Sequence, residues 1–348
     1  MANIVSILNK IDEFNELSKI DIINLLSAKG SDIEKLYKKA DALRAQYMGN
    51  DVYLRGIIEF SNYCTKNCNY CGIRKSNKKT NRYRISNTEI VDACHKLKEV
   101  GQTTVVLQSG EDPFYSTNKI SQLLKLIKRE TNLAITLSVG VQAKDVYNQW
   151  QEAGMDRYLL RFESSSKKIF ERCHPDETLE RRVKALMDLK ELKVQTGSGF
   201  LIGIPNESLE DLANDLLFTQ SLNLDMIGVG PFIPGPGTPF ADRNNPFDPD
   251  ICFKTIAVLR LLNKKSHIPS TTAFDVIHPN GRNLLLERGC NVFMPNATPK
   301  KYRVDYQLYP GKPCVDESTD DCASGVINRI KSIGRELGTG PGHSILYQ

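Results

Sequence analysis

From residue 52 to residue 295 the chain alternates short apolar runs, rich in β-branched residues, with amphipathic stretches of helical period. No other feature limits its fold as strongly. The strand candidates are "VYLRGIIEF" (52–60), "TTVVLQS" (103–109), "LAITLSV" (133–139), "RYLLRFE" (157–163), "TGSGFLIGI" (196–204), "DMIGVG" (225–230), "IPSTTAF" (268–274) and "CNVFMP" (290–295). Stretches such as "SNTEIVDACHKLKEVG" (86–101), "NKISQLLKLIKRET" (118–131), "LEDLANDLLFTQSLN" (209–223), "DICFKTIAVLRLLNK" (250–264) and "GRNLLLERG" (281–289) read as the helices between them. Strands that alternate with helices make parallel βαβ units. Eight units in 348 residues predict an α/β fold, a closed (β/α)8 TIM-type barrel. Residues 1–50 hold helix patterns and no strand, so an N-terminal helical extension precedes a barrel spanning 51–295. Ser31 and Glu34 resemble a capping box for the last helix of that extension. Residues 296–348, polar and punctuated by Pro and Gly, read as a C-terminal extension packed back on the barrel.

Charge narrows the function classes. With 46 basic and 41 acidic residues the net charge is +5, and the basic residues are scattered except for Arg74, Lys75, Lys78, Lys79, Arg82 and Arg84. A nucleic-acid surface usually needs more than this short run, together with interleaved aromatics, so it reads as a solvated loop and no nucleic-acid partner is expected. No stretch approaches the ~20 apolar residues of a membrane span. The N-terminus "MANIVSILNKIDEFNEL" lacks the apolar core and small-residue cleavage site of a signal peptide. A cytoplasmic protein is expected, and its nine cysteines are then thiols rather than a disulfide framework.

Three of those thiols are crowded into "FSNYCTKNCNYCGIRK" (60–75), as Cys64, Cys68 and Cys71, just after the first strand candidate. A structural zinc site asks for four ligands and an ordinary iron–sulfur carrier for four cysteines. Cys94 lies inside an amphipathic stretch and the five histidines are scattered, so neither offers an obvious fourth. Other polar clusters also fall where strand candidates end: Ser109–Asp112, Arg161 with Glu163, and Pro205–Glu207. In a barrel these ends gather at one mouth, where active sites are built.

The spacing C-x3-C-x2-C at Cys64, Cys68 and Cys71 resembles the signature of the radical S-adenosylmethionine (SAM) enzymes. The resemblance implies a 4Fe-4S cluster held by these three cysteines, with the remaining iron chelating exchangeable SAM. It also implies reductive cleavage of SAM to a 5′-deoxyadenosyl radical. "QSGEDP" (108–113) is similar to the family's Gly-Gly-Glu-type motif with Ser109 in the first position, and "SGFLIGI" matches its Gly-x-Ile-x-Gly stretch loosely at Gly199, Leu201 and Gly203. By resemblance the SAM contacts are Tyr70 beside the adenine, Ser109, Gly110 and Glu111 at the amino acid, Glu163 at the ribose, Arg161 and Arg182 at the carboxylate or a nearby substrate anion, and Met226. Ordinary turns or a structural ion pair explain the same residues in other proteins, an alternative that stays open for Arg182.

Longer stretches narrow the resemblance to the FeFe-hydrogenase maturase branch, close to methylornithine synthase and biotin synthase: "DMIGVGPFIPGPGTP" (225–239), "IPSTTA" (268–273) and "YQLYPGK" (306–312). This implies assembly of the diiron subsite of the hydrogenase H-cluster, HydG and HydF as partners, and a donor such as ferredoxin or flavodoxin. The implied substrate is a small anionic iron complex in a pocket that includes Thr271, Thr272, Met294 and Tyr306. Two departures stand out. Cys314 and Cys322 have the first spacing of an accessory cluster, but Gly325 occupies the third position. Phe162 stands between Arg161 and Glu163 where close relatives are expected to carry His. A mutase of the methylornithine synthase type and a non-catalytic iron–sulfur scaffold remain the alternatives.

Overall fold

A computed structural model describes residues 3–14, 16–313, 315 and 319–347, without the side chains of 319–324. Its frame is a closed parallel barrel. The first strand is broken at Arg55 into Asp51–Leu54 and Gly56–Ser61. Gly56–Ser61 opens a six-stranded parallel sheet that continues through Thr104–Ser109, Ala134–Ser138, Arg157–Leu159, Gln195–Ser198 and Met226–Ile227. A bridge from Met226 to His267 leads to the seventh strand, Pro269–Ser270, which pairs with the eighth, Val292–Phe293. The eighth pairs with Asp51–Leu54. The two halves of one strand therefore serve both of its neighbours, and no edge is left open.

Helices cover the outside. Asn87–Glu99, Thr117–Thr131, Leu209–Leu222 and Pro249–Leu262 form at the expected stretches, and Lys144–Glu152, Lys167–Cys173 and Leu179–Glu191 complete the ring. Helix Asn87–Glu99 packs so closely on the first strand that a Cβ at Gly56 would strike the Leu97 side chain. The extension forms Ile4–Glu13, Lys19–Leu26 and Ser31–Met48; the last two pack on Pro249–Leu262 and the first packs on them. No helix among the described residues is long and apolar enough to cross a membrane.

Two local expectations need correction. Ser31 does not cap its helix, because Gly30 occupies the cap position at φ 56° and puts Ser31 inside the first turn. Complete capping boxes stand instead at Ser18 with Asp21, Ser86 with Glu89 and Ser208 with Asp211. The basic run is also only partly solvated: Arg74 is buried, and Arg82 donates to the carbonyls of Ile73 (2.8 Å) and Arg74 (2.6 Å). Lys75, Lys78 and Lys79 do face solvent.

The C-terminal segment closes the barrel's floor. Glu336–Leu337 pairs in parallel with Asp51–Val52. The chain then crosses the strands' N-terminal ends, where Arg157 donates to Pro341 O (2.6 Å), Arg55 to Gly342 O (3.0 Å), and Thr103 and Thr104 to Gly340 O (2.6 Å) and Pro341 O (3.1 Å).

Arg260 ties the outer layer to the last two strands. It is fully buried in helix Pro249–Leu262 and donates to the carbonyls of Gly289, Asn263, Lys264 and Ser266 at 2.7–3.0 Å and to Asn291 Oδ1 at 3.2 Å. Removing the guanidinium strands several buried acceptors, each costing on the order of 1–3 kcal/mol. Arg260→Leu should destabilise the fold by about 3–5 kcal/mol. A urea midpoint unchanged from the parent chain would contradict this account.

Candidate active site

The loop after the first strand, residues 62–84, is held against the mouth by backbone contacts. Asn62 N donates to Tyr83 O (3.4 Å), Gly110 N to Ser61 O (3.2 Å) and Thr65 N to Glu111 O (3.0 Å). Gly110 has no alternative residue here, since a Cβ would run into the Tyr63 carbonyl and the Cys64 Cβ. The contact that needs this glycine also joins the cysteine loop to the end of the second strand.

All three thiols line one cavity of about 320 Å³, within the size range of a small-ligand site. Burial pushes the thiols of Cys64, Cys68 and Cys71 up, Cys71 to about 12, so bare thiolates are costly in this place. A metal that bonds thiolates removes that cost. Among the described residues no three His, Cys, Asp or Glu side chains are placed to grip a single ion. Ligands of a cluster, unlike those of one zinc ion, sit on separate irons. The donor set therefore fits a cluster better than a zinc ion.

The same cavity is lined by every other described candidate: Tyr70, Ser109, Gly110, Glu111, Arg161, Glu163, Arg182, Met226, Thr271, Thr272, Met294 and Tyr306. Glu163 is the most constrained of them. It lies at the end of the fourth strand with φ 65°, an uncommon conformation for a residue with a side chain. Its Oε1 accepts from the Tyr70 hydroxyl (3.2 Å) and lies 3.3 Å from Arg161 Nε, while its buried Oε2 has no partner. Glu111 lies 3.7 Å from Lys66 Nζ, and burial raises its pKa. A Cβ at Gly140 would collide with the Glu111 side chain, so the third strand's end also shapes this corner.

Arg182 is more braced than free. One terminal nitrogen pairs with Glu177, the other donates to Arg161 O (2.9 Å), and only its buried Nε lacks a partner. Met226 lines the cavity, but its sulfur faces inward and accepts from Arg55 (2.8 Å). Thr271 donates to Val229 O (2.9 Å), Thr272 shares a hydrogen bond with the Tyr309 hydroxyl (2.7 Å), and Gln108 donates to the Tyr306 hydroxyl (3.2 Å).

Phe162 does not touch the site. It is fully buried against Phe200 and Phe218, with ring centroids 5.8 and 5.0 Å away, because successive side chains of a strand face opposite sides. The residue there packs the layer between sheet and helix, so its identity carries no signal about hydrogen bonding in the cavity. Cys314 lies outside the described residues, as does the side chain of Cys322.

Several lining residues escaped sequence reasoning. His174 places Nδ1 3.2 Å from Cys68 Sγ and Nε2 3.4 Å from the Tyr70 hydroxyl, and burial holds it neutral. Lys312 reaches back from the tail to pair with buried Glu59. Nothing local marks either residue. "YPGK" was a legible segment, but its partner lies more than 250 positions away in sequence.

The Radical SAM superfamily model matches residues 58–219. The FeFe hydrogenase maturase subunit HydE of Thermotoga maritima is 46% identical over 305 residues, covering 88% of this chain and 87% of that protein. The 3-methylornithine synthase of Methanosarcina acetivorans is 30% identical over 333 residues, covering 94% and 92%. Among solved structures, methylornithine synthase (PylB) superposes with a TM-score of 0.84 at 28% identity, covering 95% of this chain and 97% of that one. The maturase HydG of Carboxydothermus hydrogenoformans, at 21% identity and a TM-score of 0.81, covers 95% and 78% and shares the fold. Three thiols at the mouth of a closed parallel barrel, together with 46% identity across most of both chains, make this chain a member of the radical SAM superfamily and, within it, of the HydE family of hydrogenase maturases.

Proposed function

We propose that this chain is a radical SAM enzyme of FeFe-hydrogenase maturation that holds a 4Fe-4S cluster on Cys64, Cys68 and Cys71 and binds SAM across the ends of the second, fourth and fifth strands. The observation that carries the SAM site is Glu163, in a left-handed backbone conformation with a buried, unpartnered carboxylate oxygen in the cavity that holds the three thiols. Cys64, Cys68 and Cys71 would hold the cluster, which when bound would supply the one electron needed to cleave SAM reductively to methionine and a 5′-deoxyadenosyl radical.

The chain's own residues bind, orient and exclude water. The Arg82 charge favours the charged forms of Cys64 and Cys71, and that of Arg182 favours Cys68's. His174 hydrogen-bonds Cys68, and bonds to cluster sulfurs tune reduction potential. Gly110 lets the second strand's backbone approach the amino-acid end of SAM, whose ammonium Glu111 accepts. Glu163 Oε2 accepts from a ribose hydroxyl while Tyr70 and Arg161 fix Oε1. Arg161 meets the SAM carboxylate; Arg182, held by Glu177, acts by bracing the Arg161 backbone. The buried walls keep water from the radical.

The substrate is a small anionic iron complex, and HydG and HydF are partners in its handling. This rests on 46% identity to HydE against 30% to methylornithine synthase. The cavity suits such a ligand, since Thr272 and Tyr309 supply hydroxyls and Met294 supplies a soft apolar wall. The protein then acts in assembling the diiron subsite of the H-cluster.

Three measurements test the reading. Anaerobic reconstitution followed by dithionite and SAM should yield 5′-deoxyadenosine, and Cys68→Ala should lose the cluster's absorbance and its iron. Four irons retained in that variant would remove Cys68 from the ligand set. Glu163→Ala should keep the full iron content but bind SAM about 10–100-fold more weakly, as expected for losing a hydrogen bond to a charged group worth about 1.5–3 kcal/mol. Equal SAM affinity in variant and parent would end the assignment of Glu163 to the ribose.

A further inference from the structure

A cluster in this cavity must be supplied with electrons from outside, because none of the described neighbours of the thiols is a redox group. The route of entry is marked by where the cysteine loop reaches solvent. Tyr63, adjacent to Cys64, is 36% exposed, and Phe114, close by on the loop after the second strand, is 48% exposed. The Arg84 guanidinium lies over both rings, 3.9 and 4.6 Å from their centroids, and Lys119 Nζ lies 3.4 Å from that of Phe114.

Further cations flank the same loop. Lys75 N donates to Lys66 O (2.8 Å) and Ser76 N to Asn67 Oδ1 (3.0 Å), so residues 75–76 are tied to the segment between Cys64 and Cys68. Asn62 Nδ2 donates to Asn81 O (2.7 Å), which fixes the chain just beyond Lys78 and Lys79 beside the residues that precede Cys64. Lys75, Lys78 and Lys79 are exposed and form no ion pair with any described residue. The acids nearest the thiols point inward: Asp112 is held by Ser61 and Arg84 with no exposed side-chain surface, and Glu111 faces Lys66. Two acids share the face, Asp176 accepting from Asn67 N and Asp305 from Asn81 Nδ2, and the cations outnumber them.

We infer that this face, which carries the exposed rings of Tyr63 and Phe114 under Arg84 and Lys119 and, on the same cysteine loop, the exposed Lys75, Lys78 and Lys79, is the docking surface for an acidic one-electron carrier protein. Exposed aromatics and Arg are what the centres of protein interfaces favour. A cationic surround steers an acidic partner and speeds its encounter, by a factor that falls with salt. The unpaired lysines have no other described use. One electron leaves the carrier for the cluster, and no bond is made or broken at the interface. The inference rests on the proposed cluster site and extends it to the chain's outer surface.

The test uses Lys75→Glu/Lys78→Glu/Lys79→Glu in the full chain, with reduced flavodoxin, an acidic FMN protein, as the carrier. 5′-Deoxyadenosine formation driven by flavodoxin at low ionic strength should fall about ten-fold or more, while the dithionite-driven rate and iron content stay at parental levels. Binding of flavodoxin to the cluster-free chain, followed by flavin fluorescence, should weaken in the same variant. Salt should lower the parent's flavodoxin-driven rate toward the variant's, as screening of exposed charges requires. Equal flavodoxin binding and equal flavodoxin-driven rates in parent and variant would overturn the docking surface. Absence of product with dithionite in the parent would instead strike the enzymatic reading beneath it. The milder Lys75→Gln/Lys78→Gln/Lys79→Gln, with an intermediate loss, guards against a folding artefact of charge reversal.

Discussion

Closure of the sheet through its first strand is the constraint on which the site depends. Asp51–Leu54 pairs with the eighth strand and Gly56–Ser61 with the second, so the chain turns at Arg55 to satisfy both neighbours. Because every pairing is parallel, all C-terminal ends reach the same mouth. The cysteine loop leaves one of these ends, Ser109–Glu111 another, Arg161 and Glu163 a third. Without closure these groups would lie along an open sheet and enclose no cavity.

Around that mouth the protein tolerates arrangements that a simple core would not. Glu163 holds a left-handed backbone conformation, Gly110 and Gly140 let neighbouring loops touch, and several buried polar atoms lack partners, among them Glu163 Oε2 and Arg182 Nε. Buried polar groups are normally satisfied, and strained residues persist only where the surroundings hold them. Glu163 combines both features in the cavity that holds the three thiols, which is the physical mark of a ligand site. The barrel's floor is bridged by the returning tail: Arg157 and Arg55 donate to its carbonyls, Gln195 and His343 add a further contact, and Arg55 Nε stays buried without a partner. The molecule is closed below and receptive above.

The strand and helix order was legible because a period of two or of 3.6 is written locally, so even short strands such as Pro269–Ser270 and Val292–Phe293 fell inside the expected runs. The cysteine triplet and "QSGED" were legible because their ligand geometry is carried on short loops. Capping at Ser31 was misread because the cap depends on the φ of Gly30, which the letters do not give. The basic run was half misread, since Arg74 and Arg82 are drawn inward by carbonyls that only the folded loop presents. Phe162 stands out in the letters, yet it faces away from the cavity for a related reason: which face of the fourth strand meets the cavity is settled by the closed sheet.

The sequence by itself determined the barrel class, the cysteine triplet and the strand ends on which the polar residues fall, because periodicity and short spacings are local properties of the chain. Only the tertiary structure decided which partners those residues meet. It brought His174 to Cys68, Lys312 to Glu59 and Glu177 to Arg182, left Glu163 Oε2 without a partner, and set unpaired lysines around the loop that carries the thiols. The strand-end pairings join distant segments, and even the nearby Glu177–Arg182 pair matters only because the fourth strand ends beside it. Such contacts exist once the sheet closes, and no local pattern encodes the closure's register.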